Sequence, residues 1–389
     1  MKKTNYTKRL ITMILSLSML ISSVAFSLPA QVQAATVALN ATSISIMERV
    51  YNTYQLKLNN ATGKVTWKSS DTGIAKVSSN GLVTAVGTGK KYNPTCTITA
   101  TYKNKKYKCT VKVFYLKRIK EAYKKNGVTI KLYEGLYNTD GGKAKYYAAH
   151  VVLEAKAYGK MHLSKANGKR SNGFQTISKM IKKNNNKAYN AVLAVNGPFN
   201  GGDSNKWDAF LDGHNYSIRD HDYREIYGGK YAAGKLGGDE IMKGATYSSK
   251  TGYLRPGTEQ KGVTSGMTVK TAASQGLISD TFFGDMGSTV LVNGKVQGTK
   301  NKKDLRPRTF IGTNGGAGNF WIVVANGDNA DGYSSGLNMY GCGTVLKRLH
   351  CKYGYNLDGG ASSTMVYLGE VINKQSALRT CYDALYVAR

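Results

Sequence analysis

Asn356-Leu357-Asp358-Gly359-Gly360-Ala361-Ser362-Ser363-Thr364 gathers amide, carboxylate and hydroxyl groups around two glycines, after a helix-like run. Glycine lets backbone N–H groups come close to a ligand, while the acid and the hydroxyls point into the same space. A hydrophobic core has little use for such polarity. A site for an anionic, hydroxylated substrate does. Three further clusters carry similar groups: Asn196-Gly197-Pro198-Phe199-Asn200, Arg306-Pro307-Arg308-Thr309, and the run from Asp328 through Asp331 and Gly332 to Ser335.

Each cluster stands beside an apolar segment that reads as a strand, and loops at strand ends are where sites are commonly built. Residues 191–195 form a continuous apolar run, as in a buried strand. Residues 310–312 and 320–325 read as paired strands, and 146–153 and 384–388 as two more. Helical spacing marks 173–183 and 345–352, and a basic, helical connector is expected over 115–125. Residues 201–260, rich in Gly, Asp and Tyr, read as long loops. The expected fold of 130–389 is α+β.

Residues 36–114 have a different periodicity. Short β-branched and aromatic runs alternate with turn residues, which points to a small all-β sandwich. Val65-Thr66-Trp67-Lys68-Ser69-Ser70-Asp71, Ile74-Ala75-Lys76-Val77 and Asn80-Gly81-Leu82-Val83-Thr84-Ala85 resemble the bacterial Ig-like group 2 domain, with an insertion around 89–94. That resemblance implies an extracellular spacer or adhesive module. Residues 115–129 are expected to link it to the second domain.

Lys and Arg number 55 against 23 Asp and Glu, a net charge of +32. Charge of this size bears on partners rather than fold. Residues 1–34 read as a secretory signal: a basic start, an apolar run over 10–28, and small residues before a cut after Ala34. No second apolar stretch of spanning length follows. Export directs the expected partners toward anionic glycans and wall polymers, away from specific nucleic-acid recognition. The Ig-like stretch holds twelve Lys and Arg against Glu48 and Asp71, which leaves +10 and suggests attachment to an anionic bacterial surface.

The five cysteines leave at least one thiol unpaired within a monomer. Cys96 and Cys109 are expected on one hairpin face, about four residues out of register and too far apart to bridge. Cys351 with Cys381 stays open. No cysteine or histidine pair has zinc-ligand spacing. The run 328–332 lacks the acids of an EF-hand at its first and twelfth positions. No cofactor is implied, and a structural divalent cation elsewhere stays open. No nucleophile elbow, P-loop or dinucleotide fingerprint is present.

From about 130 to 389 the order of landmarks resembles the phosphodiester glycosidase family. They are Asn196-Gly197-Pro198-Phe199, Val290-Leu291-Val292-Asn293-Gly294, Pro307-Arg308-Thr309, Asp331-Gly332 with Ser335-Gly336, Asn356 to Ser363, Val371-Ile372-Asn373, and Arg379 with Asp383. The resemblance implies hydrolysis of a glycosyl-1-phosphodiester. It places Asp358 and Asp331 as catalytic carboxylates, with Asn196, Gly197, Arg308, Thr309, Ser335, Asn356 and Arg379 at the substrate. The chain departs from the family at Tyr333, where Arg often follows Asp-Gly, and at Ala361, where a third glycine is common.

The residue types fit that chemistry and have plainer uses. Asp358 suits the anomeric centre or an attacking water, or else caps its own turn. Asp331 offers a second carboxylate with the same alternative. Arg308 grips a phosphate with a planar fork, or makes a structural ion pair. Gly359, Gly360, Ser362 and Ser363 form a nest of donors, or a simple turn. Asn196 binds sugar or phosphate, or forms a turn. His150, in an apolar strand, reads first as a hydrogen-bonded strand histidine rather than a general acid. The rival functions are processing or transfer of a wall polymer or exopolysaccharide at the same site, and non-catalytic polysaccharide binding.

Overall fold

The computed structural model describes residues 35–88, 93–165, 175–183, 191–197, 207–211, 214–219, 222–225, 245–247, 250–256, 280–282, 289–298, 300, 304–374, 377, 379–381 and 383–389. The expected leader (1–34), residues 89–92 of the expected insertion, Pro198, Phe199 and Asn200 lie outside them, as does much of 201–260. Where 201–260 is described it includes strands, among them Trp207–Leu211 and His214–Arg219, rather than loops alone.

The N-terminal module is a β-sandwich. Strands β1 (Ser43–Met47), β2 (Thr66–Ser69), β3 (Thr95–Tyr102) and β4 (Lys105–Phe114) form one sheet in the order β1-β4-β3-β2. Thr53–Gln55, Leu82–Ala85 and Ala75–Val77 form the other. Alternate residues point inward, so Ile44, Ile98, Val111 and Val113 share a core with Val83 and Ala85. Lys103 and Asn104 take φ of 47° and 65°, the left-handed pair a two-residue hairpin turn needs. That turn sets Cys109 opposite Ile98 and Cys96 opposite Val111. The two cysteines are therefore about two residues out of register, not four, which still leaves them on a diagonal.

Beyond Tyr115 the chain enters the second domain directly. Leu116–Arg118 and Tyr123–Lys125 are strands, both paired with β5 (Val128–Thr139). The expected helical connector does not form, because β5 offers partners that local helical spacing cannot match. The larger sheet has ten strands. Its centre runs β5, β6 (Gly142–Leu153), then the antiparallel pair nearest the site and its neighbours. In chain order these remaining elements are helix α1 (Ile177–Lys183), β7 (Ala191–Asn196), β8 (Arg308–Thr313), β9 (Asn319–Ala325), helix α2 (Met339–Arg348), β10 (Tyr353–Gly359), β11 (Met365–Tyr367) and β12 (Asp383–Ala388). The central order is β5-β6-β9-β8-β10, and a five-stranded sheet carries β12-β7-β11.

The two sheets face each other across one apolar core. Ile130, Val151 and Ile322 from the larger sheet meet Val195, Met365 and Leu385 from the smaller. On the outer face of the larger sheet, α2 lays Cys342, Val345 and Leu346 against Tyr146, Phe310 and Trp321. On the outer face of the smaller sheet, α1 lays Ile177 and Met180 against Ala194 and Tyr386. Strand β7 is therefore buried on both faces, which explains its unbroken apolar sequence. Among the described residues helices are few, so the α+β expectation reduces to a mostly β domain with helical covers. Helix α2 begins at Met339, capped by the Asn338 side chain on the Gly341 N–H at 2.9 Å, well before the expected start at 345. All five cysteines are buried free thiols. Cys351 and Cys381 belong to different cores, so the pairing left open for them does not form.

Candidate functional site

The face of the larger sheet that looks into the inter-sheet core is apolar along most of its length and turns polar at one end. On β5, Val128, Ile130 and Leu132 lead to Glu134. On β6, Leu153, Val151 and Ala149 lead to Tyr147 and then Lys145. On β9, Phe320, Ile322 and Val324 lead to Asn326, and on β8, Ile311 leads to Thr309. The register brings these ends together: Glu134 pairs with Tyr147, Tyr147 with Val324, and Arg308 with both Ala325 and Gly359. A polar patch continues an apolar core out to the end of the sandwich.

The Asn356 to Thr364 segment crosses from one sheet to the other at this end. It finishes β10, makes one 3-10 turn over Gly360–Ser362, and enters β11 of the smaller sheet. Asn196, at the end of β7, ties the crossing together. Its Nδ2 donates to the Asp358 carbonyl at 2.9 Å. Its Oδ1 accepts from Thr309 Oγ1 at 2.6 Å and from the Thr364 N–H at 3.1 Å. Asn196 and Thr309 are wholly buried. Their side chains hold the crossing segment to both sheets. Gly197 contributes its carbonyl, which accepts the Asp358 N–H at 3.3 Å.

Asp358 is half-buried, and its Oδ1 accepts the Gly359 N–H at 2.7 Å. The Gly360 N–H donates to the Pro307 carbonyl at 2.8 Å, and the Ser363 N–H to the Gly360 carbonyl at 3.0 Å. Three donors of the expected nest thus serve the fold. Gly360 sits at φ 64° with open space where a side chain would be, so the loop itself is accessible there. Ser362 and Ser363 are buried. Asn356 is buried too: its Nδ2 donates to the Leu357 carbonyl, and its Oδ1 has no hydrogen-bond partner among the described residues.

Two of the expected site residues are engaged by the protein's own groups. Arg308, expected to grip phosphate, is 1 % exposed and pairs with Asp304 Oδ1 at 2.9 Å. Its Nε donates to the Leu337 carbonyl at 3.0 Å. Strand alternation turns it to the α2 side, with Phe310, while Thr309 faces the inter-sheet side. Asp331, expected as a second catalytic carboxylate, accepts four hydrogen bonds: from the Tyr333 and Ser334 N–H groups, from Ser334 Oγ, and from Asn326 Nδ2, at 2.7–3.0 Å. Burial alone would raise its pKa, but these donors outweigh it and hold the carboxyl at about 2. A carboxyl held this low is ionised at neutral pH and has no proton to give there. It shapes the loop 327–335.

At the same end, Tyr333 of that loop meets a cation from β6. Lys143 Nζ stands 4.2 Å from the centroid of Tyr333, the residue where the family often has Arg. Lys145 Nζ lies 3.9 Å from Glu134 Oε2. Burial, with Glu134 and Asp331 nearby, pushes the Tyr147 hydroxyl up to about 12. Glu134, Lys143, Lys145, Tyr147 and Asn326 were not singled out from their local sequence. Their signal is the end of an apolar alternation, visible only once the register of several strands is known. Ser335 is exposed, with its hydroxyl on the Lys143 carbonyl at 3.3 Å, and Arg379 is exposed. His150 lies toward the other end of β6, hydrogen-bonded to Asn319 at 2.9 Å and stacked on Trp321. Among the described residues, no three His, Cys, Asp or Glu side chains gather as metal ligands, and no helix is long and apolar enough to cross a membrane.

Residues 189–388 match the phosphodiester glycosidase family, and residues 32–113 match the bacterial Ig-like domain (group 2). No curated protein matches the chain. Among solved structures, one similar fold is the zebrafish N-acetylglucosamine-1-phosphodiester alpha-N-acetylglucosaminidase catalytic domain, auto-inhibited by its pro-peptide. It is 11% identical, with a TM-score of 0.46, over 71% of this chain and 88% of that one. A hypothetical protein from Synechocystis is 11% identical, with a TM-score of 0.43, over 87% and 77% of the two chains. A putative exported protein from Burkholderia pseudomallei is 14% identical, with a TM-score of 0.37, over 63% and 74%.

Proposed function

The chain belongs to the phosphodiester glycosidase family, whose activity is of the glycosidase type, and we propose that it hydrolyses glycosyl-1-phosphodiester bonds in phosphate-bearing glycans or cell-wall polymers outside the cell. The observation that carries this reading is the half-buried Asp358 at the polar end of the sandwich, with its main chain held by Asn196 and Gly197. Asp358 acts at the anomeric carbon. Its carboxylate takes a proton from the attacking water, the water oxygen bonds to that carbon, the bond from the carbon to the phosphate oxygen breaks, and the phosphate leaves as an anion. Such a leaving group needs little protonation, so the reaction does not require a second carboxylic acid. The low pKa of Asp331 is compatible with this. Lys143 and Lys145 supply positive charge for the departing phosphate. The extracellular setting is supported by the bacterial Ig-like match and by the signal-like residues 1–34.

The test compares the mature chain from Ala35 with Asp358→Asn on hexose- and N-acetylhexosamine-1-phosphodiesters, following free sugar. Turnover should fall by at least a hundredfold in the variant while its folding is unchanged. No release from any substrate, with anionic glycans still bound, would favour a polysaccharide-binding protein.

A further inference from the structure

We propose that the outer face of the β1-β4-β3-β2 sheet is a docking surface for a linear phosphodiester-linked polyol or sugar-phosphate polymer. Along β4, Cys109, Val111 and Val113 point into the core, so Lys106, Lys108, Thr110 and Lys112 point out. The register sets Lys106 beside Thr101, Lys108 beside Thr99, and Lys112 beside Thr95, while Thr99 is flanked on its other side by Lys68 of β2. Lysines on two strands thus flank a row of threonine hydroxyls. Along β4 the repeat is about 6.8 Å, and across the sheet from β4 to β2 about 10 Å. These separations are within or near a Debye length, so the lysines reinforce one another's potential.

Among the described residues no acidic side chain pairs with Lys68, Lys106, Lys108 or Lys112. The module's two acids are engaged elsewhere: Asp71 Oδ1 accepts the Gly73 N–H at 2.9 Å in its own turn, and Glu48 accepts from Thr88 Oγ1 at 3.3 Å. An ordinary solvated surface mixes both signs, and this one does not. A row of unneutralised cations with hydroxyls between them is complementary to a chain that repeats phosphate and hydroxyl groups. Lysine acts there as a point charge, and threonine donates to phosphate oxygens or accepts from polyol hydroxyls.

The face also argues against nucleic acid. Trp67 packs against the inner core, and Tyr107 alternates with Lys106 and Lys108 toward the same side. Bases would find no ring to stack on, which removes the main source of single-strand affinity beyond charge. The choice of phosphate over carboxylate rests on the proposed activity of the second domain.

The test uses the mature chain and synthetic poly(glycerol phosphate), titrated calorimetrically over a range of salt. The double variant Lys106→Gln/Lys108→Gln should bind at least tenfold more weakly, with a log–log salt slope shallower by about 1.4. The double variant Lys57→Gln/Lys76→Gln removes equal charge elsewhere and should stay within twofold of the unmodified chain. Equal weakening in both variants would reduce the effect to bulk charge and overturn the proposal. So would equally tight binding of oligo-deoxythymidine or of a carboxylate polysaccharide, or no binding at all. Turnover of a small glycosyl-1-phosphodiester, followed on the same preparations, should be unaffected by either variant. Absent turnover with polymer binding intact would sink the activity reading and leave the docking surface standing.

Discussion

Asn196 carries three hydrogen bonds between β7, β8, the end of β10 and the start of β11, all in a dry environment. Asn196→Ala would leave the Thr309 hydroxyl, the Thr364 N–H and the Asp358 carbonyl without that partner. The expected cost is roughly 3 kcal/mol, read as a lower midpoint in denaturant. Asp358→Asn, at a half-exposed position, should cost well under 1 kcal/mol while removing turnover. If the two variants were equally unstable, Asp358 would be a structural residue. Asp331 makes a separate prediction. Its folded pKa lies below its unfolded value, so its contribution is fully present above about pH 4 and is lost as pH falls toward about 2. Asp331→Asn should remove that acid-dependent step from a stability profile. That Asn196 and Asp358 are polar groups at strand ends was legible from their types and positions, and the fold joins them by a hydrogen bond. The direction of Arg308 was not: its neighbours Phe310 and Ile311 are both apolar and both buried, so alternation gave no sign of which face was which. The one available hint was Asp304, four residues earlier.

At the scale of elements, turns and apolar strands were readable because local rules decide them. Asn293 and Gly294, at φ 48° and 72°, close the hairpin between Thr289–Val292 and Lys295–Val296, as Asn-Gly after an apolar run implies. Elements whose shape depends on a distant partner were misread. Residues 116–118 became a strand because residues 133–135 of β5 pair with them, whereas 123–125 join β5 in a local hairpin through Asn126-Gly127, at φ 51° and 77°, a turn signal the helical reading passed over. Helix α2 begins at Met339, before the expected 345, and its added turns carry Gly341 and Gly343, both needed for close approach. A Cβ at Gly343 would stand 2.1 Å from the Val290 carbonyl oxygen, and one at Gly341 2.5 Å from the Gly141 carbonyl oxygen. Gly343→Ala should therefore lift the helix from the sheet. The gain in helix propensity, about 1 kcal/mol, would be reversed, and the melting temperature should drop by several degrees. A rise in melting temperature would show that the helix has room to spare.

At the scale of the molecule, the Ig-like module is docked on the second domain and not strung from it. Only Tyr115 separates β4 from the next strand, and Met47, Phe114 and Leu116 share one core with Trp321, Cys342 and Leu346. The Arg348 guanidinium lies 3.8 Å from the Phe114 ring centroid and 4.7 Å from that of Tyr137, a contact worth roughly 1–2 kcal/mol when desolvated. Tyr51 stacks on His350 at 4.0 Å. Both residues have left-handed backbones, at φ 49° and 59°, a conformation costing each about 1 kcal/mol outside glycine. The joint holds them there against that cost, and only a residue without a Cβ is free of it at that φ. This separates two substitutions that remove the same ring. Tyr51→Gly loses the stack and relieves the backbone, whereas Tyr51→Ala loses the stack and keeps the strained φ. The unmodified chain should melt in one calorimetric transition, Tyr51→Gly should shift it modestly, and Tyr51→Ala should shift it further or split it in two. Two resolved transitions in the unmodified chain would mean that the modules fold independently. The lysine face of β4 would then have no fixed orientation to the site at Asp358, and a polymer held by one would be presented to the other only by chance.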